Sequence, residues 1–228
     1  AVGGVTALTS LSTNAGGSVA INGGSVRTTG AQTYNDPVTL GADTNFTANG
    51  GSLVWFADTL GGGATARSVT VTTANARFDA DVGGVGNLVS SVSVAGTTVV
   101  GADITTENGV VTLSGNVTLN ADSVVSSGTG AVSFGGTVNG AQTLTVNSTG
   151  LTTFTGAVGG GTALTSLSTN AGGSTSLNAN VSTNNGLVSF GENVSLTAGV
   201  IISTGNGDVT FGGTVNGAQT LTVNSTGL

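Results

Sequence analysis

The sequence repeats itself, and that repetition constrains its fold more than any other feature. The segment Phe134–Leu151 recurs unchanged at Phe211–Leu228, an offset of 77. Thr6–Ser18 recurs unchanged at Thr162–Ser174, an offset of 156 and close to twice 77. Between them, Val82-Gly-Gly-Val-Gly-Asn-Leu88 echoes Val2-Gly-Gly-Val-Thr-Ala-Leu8. Three super-repeats follow, approximately 1–80, 81–156 and 157–228, read as a single continuous unit. Self-similarity at a fixed period belongs to stacked architectures, in which each unit buries its apolar side only against its neighbours.

A shorter beat runs inside each super-repeat. Phe56, Phe78, Phe134, Phe154, Phe190 and Phe211 each open a segment. Their commonest spacing is close to the length of one short solenoid repeat, about 20 residues. Within segments, stretches such as Ser68-Val-Thr-Val-Thr-Thr73 and Thr143-Leu-Thr-Val-Asn147 alternate apolar with hydroxyl residues, and glycine or asparagine ends them. Period-two alternation over four to six residues, bounded in this way, is the signal of short β-strands. Strong helix formers are nearly absent, so no α-helix is expected. A sandwich gives no reason for successive turns to repeat, and a propeller blade needs about 40–50 residues with its own motif. The expected fold is all-β, a parallel β-helix (β-solenoid) with coils of about 20 residues stacked at roughly 4.8 Å. About ten or eleven coils make a rod roughly 50 Å long. The recurrent Phe residues are expected to form one inner ladder, with asparagine amides laddered at the corners.

Composition removes most chemistry. The chain carries three arginines, ten acids, 41 glycines and a net charge of −7, and it contains no Lys, His, Cys or Met. Without imidazole or thiolate, zinc, copper, haem and iron–sulfur sites are not expected, nor is Ser/His/Asp or Cys/His catalysis. No metal site and no cofactor are expected. Acidic charge without lysine argues against a nucleic-acid partner. The longest apolar runs are too short for a membrane helix, and nine aromatic residues cannot build the two girdles of a transmembrane barrel, so no membrane insertion is expected. No basic stretch followed by an apolar one opens the sequence, and no signal peptide is expected within it.

The residues that could carry chemistry are few. Arg77, Asp79 and Asp81 fall on alternate positions and, on one strand, share a face where the carboxylates could flank a sugar bond or hold calcium. The competing reading makes them the solvated face of a half-buried strand. Asp103, Glu107, Asp122, Glu192 and Asp208 are scattered and read as solvated charges. Gly61–Gly63 and Gly159–Gly161 are corners, since no lysine follows and no helix is predicted. Thr70/Thr72, Thr143/Thr145 and Thr220/Thr222 could line a flat hydroxyl face suited to ice or sugars. Trp55 precedes Phe56, so alternation turns Trp55 outward if Phe56 belongs to the inner ladder, which makes it the candidate binding aromatic.

The motif Phe-Gly-Gly-Thr-Val-Asn-Gly-Ala-Gln-Thr-Leu-Thr-Val-Asn, with Val-Gly-Gly-x-Thr-Ala-Leu-x-Ser-Leu, resembles the repeat arrays of filamentous-haemagglutinin-like exoproteins and autotransporter passengers of bacteria. The resemblance spans the chain. It implies a right-handed parallel β-helix, export to the cell surface or beyond, and a role as adhesin stalk or matrix. It carries over no catalytic residue. Neither end of the sequence reads as a cap, so the partners expected are further coils, either from the same chain or from copies stacked end to end. Surface glycans are a further expected partner. The competing function is a carbohydrate-active β-helix using Asp79 and Asp81.

Overall fold

The structure is a computed structural model describing residues 1–227, and it shows an all-β parallel β-solenoid of about 10 coils, each about 21 residues long. Strands of two to six residues alternate with corners. They form three parallel sheets, one per face of the coil. Sheet 1 holds ten strands, from Ser25–Thr28 to Val215–Asn216. Sheet 2 runs from Leu11–Ser12 to Val138–Asn139, then through Val158 to Val181–Ser182, Val200–Gly205 and Leu221–Ser225. Sheet 3 runs from Val19–Ile21 to Leu60–Gly61, then through Val82 to Ile104–Thr105 and onward to Val209–Phe211. Among the described residues there is no α-helix, only one 3-10 turn at Asn49–Gly51.

Alternation along each strand sends valine, leucine and phenylalanine inward and serine, threonine and asparagine outward. Val132-Ser133-Phe134 and Val188-Ser189-Phe190 both place their first and third residues in the core. A single coil cannot bury that inner edge alone, and stacking does so for every coil at once. The interior is closed almost throughout by apolar side chains. Its main polar insertion is a satisfied network. Gln32 donates to the Val26 and Thr47 carbonyls and to Thr28 Oγ1, and the Tyr34 hydroxyl donates to Gln32 Oε1. Burial pushes the Tyr34 phenol well above its ordinary range, so it stays a donor.

The phenylalanines do not share one phase, which corrects the single ladder expected from sequence. Tyr34, Phe56 and Phe78 stack on sheet 2, with centroids 4.9 and 5.6 Å apart. Phe134 and Phe154 stack on sheet 1 at 5.1 Å and Phe190 and Phe211 on sheet 3 at 5.7 Å. The reason is arithmetic. The two copies of the Phe134–Leu151 motif lie eleven strand positions apart, and eleven is not a multiple of three. Identical sequence therefore lands one face away: Val132–Phe134 lies in sheet 1 and its counterpart Val209–Phe211 in sheet 3.

The corners are also held differently from the amide ladder expected. Side-chain oxygens of Asn and Asp accept backbone N–H groups from the next coil. Asn116 receives Thr137 N at 3.0 Å, Asn180 receives Ile201 N at 2.8 Å, and Asn193 receives Thr214 N at 2.9 Å. Asp103 and Asp122 do the same for Val124 N at 2.8 Å and Thr143 N at 2.7 Å. Another recurrent corner closes when a hydroxyl donates to a glycine carbonyl three residues on, as Thr106 does to Gly109 and Thr183 to Gly186, each at 2.6 Å.

Candidate functional site

The strand Leu53–Phe56 turns Phe56 inward and Trp55 outward, as alternation requires. On the next coil Arg77 pairs directly with Trp55, and Asp79 follows where the strand ends. These three side chains form one cluster. The Trp55 indole N–H donates to Asp79 Oδ2 at 2.7 Å. Arg77 Nε donates to Asp79 Oδ1 at 2.7 Å and to Oδ2 at 3.0 Å. The guanidinium carbon lies 5.3 Å from the Trp55 ring centroid, within cation–π range. A sugar stacking on that face of Trp55 would have to displace Arg77. The cluster is a self-satisfied knot on the outer surface of sheet 2.

Asp81 is not part of it. The strand Asn75–Phe78 ends before Asp79, so the alternation that would align positions 77, 79 and 81 stops there. Asp81 Oδ1 instead accepts the backbone N–H of Asp103 at 3.1 Å. The structure brings Arg77 and Asp79 together and gives Asp81 a corner role. Among the described residues no group of three or more acids gathers as a cation site. Nor is any helix long and apolar enough to cross a membrane.

Two of the acids read as solvated turn out to stitch coils, Asp103 and Asp122, as described above. Glu192 departs furthest from that reading. It is buried, its Oε1 accepts the Thr175 hydroxyl at 2.5 Å, and its Oε2 has no partner. The equivalent position of the preceding super-repeat is Gly115, so this carboxylate is an addition to the repeat.

A second surface feature was only partly visible in the sequence. The register of sheet 1 aligns Ser25, Asn45, Thr70, Ser93, Thr112, Ser133, Thr153, Ser176, Ser195 and Asn216 in one outward row. Every rung is a hydroxyl or an amide, and none carries charge. The Thr-x-Thr pairs pointed to hydroxyl faces, and Thr70 is a rung of this row, but serine and asparagine occupy most other rungs, so no threonine motif reveals it. The equivalent row of sheet 2 reads Ser12, Thr33, Trp55, Arg77, Val99, Thr118 and Asn139, which is irregular. Chemically, the sheet 1 row offers uncharged hydrogen-bond donors and acceptors along the stack.

No protein-family model, no curated protein and no solved structure matches the chain. The fold therefore stands on its own geometry as that of a β-helix repeat protein.

Proposed function

We propose that the chain is a structural, non-enzymatic segment of a repetitive bacterial exoprotein, serving outside the cell as a rod in a stalk, fibre or matrix. The observation that carries this reading is the continuity of three parallel sheets around a filled core along the described chain. Such a body keeps a constant cross-section and presents mostly neutral hydroxyls and amides outward, so identical coils stack without repulsion between like charges. The resemblance to filamentous-haemagglutinin-like and autotransporter-passenger repeats supports the extracellular placement. So does the scarcity of basic residues, since Arg27, Arg67 and Arg77 are the only trypsin sites. Surface glycans are the ligands suited to the neutral row on sheet 1.

Small-angle scattering and a polysaccharide-cleavage panel test the reading together. The expected result is an elongated particle of roughly 50 Å, from the coil rise of roughly 4.8 Å, with no turnover of any polysaccharide. Turnover that disappears in Asp79→Asn would overturn it in favour of a carbohydrate-active enzyme. A compact scattering envelope would overturn the rod itself.

A further inference from the structure

The interior of the stack is apolar almost throughout, and one corner between sheets 3 and 1 departs from that. In the coil of residues 166–177 the strands Ser166–Thr169 and Ser174–Leu177 are joined by four residues, 170–173. In the next coil Val188–Phe190 and Asn193–Leu196 are joined by two, Gly191 and Glu192. The wider corner lies beneath the tighter one and leaves room inside it for a side chain. The sequence Phe190-Gly-Glu-Asn193 reads Phe-Gly-Gly-Thr at 134–137 and at 211–214, so glutamate stands here where those copies have glycine.

Register places two hydroxyls around that glutamate. Glu192 lies midway between Phe190 and Val194, and these pair with Thr169 and Thr175 of the coil below. All four are buried, so alternation turns Thr169 and Thr175 inward on either side of Glu192. Glu192 is 6% exposed, Thr169 3% and Thr175 0%. The Thr175 hydroxyl donates to Glu192 Oε1, and the Gly191 amide holds the corner down by donating to the Thr169 carbonyl at 3.1 Å. Glu192 Oε2 and Thr169 Oγ1 have no partner. Along the ladder that holds Thr169 the neighbouring coils carry Ile104, Val125, Val146 and Phe190, so its hydroxyl interrupts an apolar column.

A carboxylate held away from water is strongly unfavourable unless it is paired or ligates a metal. No arginine supplies the pairing. Arg27, Arg67 and Arg77 all lie in the first super-repeat, and Arg77 sits about five coils, or roughly 24 Å, down the stack. The oxygens around the corner suit a hard cation instead. Glu192 Oε2 offers lone pairs, and Thr169 Oγ1 and Thr175 Oγ1 each keep lone pairs of their own. Donor sets made only of oxygen select hard cations over soft ones. One carboxylate among neutral hydroxyls balances a single positive charge and falls short of the several carboxylates that gather around calcium.

We propose that Glu192 Oε2, with the hydroxyls of Thr169 and Thr175, binds one monovalent metal cation of the sodium type inside this corner and so ties the coil of residues 188–196 to the coil below. The site is independent of what the rod does outside the cell.

Amide hydrogen exchange of the full chain, in sodium chloride and in tetramethylammonium chloride at equal ionic strength, tests it, because the organic cation is too large to enter the corner. The Gly191 amide reports on the site. The Asp79 amide, which donates to the Phe56 carbonyl at 3.0 Å, reports on a distant coil. Sodium is expected to slow exchange at Gly191, approaching tenfold for each tenfold rise in concentration past half-saturation, and to leave Asp79 unchanged. Glu192→Gln keeps an oxygen for the Thr175 hydroxyl and should exchange at one rate in both salts. Thr169→Val should need more sodium for the same slowing. Equal Gly191 rates for the unmodified chain in the two salts would mean that water alone fills the corner and would overturn the proposal. A sodium response that survives in Glu192→Gln would also overturn it, since the cation would then sit elsewhere. So would a stronger response to calcium than to sodium at equal concentration, which rules out a monovalent site.

Discussion

Replacing Gly109 by alanine is expected to split the stack locally, at a cost that can be built from its surroundings. A Cβ on Gly109 would sit 1.5 Å from the Ser90 carbonyl oxygen, a backbone atom of the coil below. Restoring van der Waals contact requires the two coils to part by roughly 2 Å at that corner. The bonds nearest the clash are Glu107 N to Val89 O at 2.7 Å and Val92 N to Val110 O at 3.0 Å. A separation of that size takes both beyond hydrogen-bonding range. Two lost backbone bonds at about 1 kcal/mol each, with about 1–3 kcal/mol of overpacking strain, give a destabilisation of about 3–5 kcal/mol. The matched control is Gly17→Ala, where the nearest atom to a new Cβ is Asp36 Oδ1 at 3.6 Å. That change is expected to stay within about 0.5 kcal/mol of the parent. Urea titration followed by far-ultraviolet circular dichroism measures both. Because solenoid stability is summed over neighbouring coils, hydrogen exchange in Gly109→Ala should accelerate around Ser90 and Gly109 first. A Gly109→Ala protein within about 1 kcal/mol of Gly17→Ala would refute the argument that close coil contact selects glycine here.

Substitutions at three further positions separate the roles of the polar residues. Asp103→Asn keeps an oxygen for Val124 N–H and should leave stability unchanged, whereas Asp103→Ala should lose about 1 kcal/mol in the same titration. Glu192→Ala should lower the urea midpoint by the equivalent of about 1 kcal/mol, because it removes the buried oxygen that accepts the Thr175 hydroxyl. Asp79→Ala should shift the emission of the single tryptophan while lowering stability by at most about 1 kcal/mol, since the knot it leaves is partly solvated. An unchanged emission spectrum would show that Trp55 does not sense Asp79 in solution.

The fold class was legible because it depends on quantities a sequence displays directly. Alternation in Thr143-Leu-Thr-Val-Asn147 specifies a strand with one buried side, and its unchanged copy at Thr220–Asn224 specifies that strands stack. Which face each copy occupies depends on how many strands lie between the copies, and that number is not written in the motif. Eleven strand positions separate them, so Phe211 falls one sheet away from Phe134 and not above it. The outward turn of Trp55 followed from its neighbour Phe56, but the guanidinium over its ring required knowing that Arg77 lies one coil further on. Alternation also predicted Asp81 beside Asp79, and failed because the strand stops at Phe78.

The acids carry the same lesson into function. Read singly, Asp81, Asp103 and Asp122 are charges on a surface, and a scattered acid invites either a solvent role or a catalytic one. In the stack each accepts a backbone N–H from the coil above, as Asn116 and Asn193 do at other corners. A carboxylate and a carboxamide are interchangeable there because the task is to present one oxygen at coil spacing, and either side chain reaches it. The acids thus serve the same end as the glycines and the hydroxyl rows: each coil offers the next one a surface that fits.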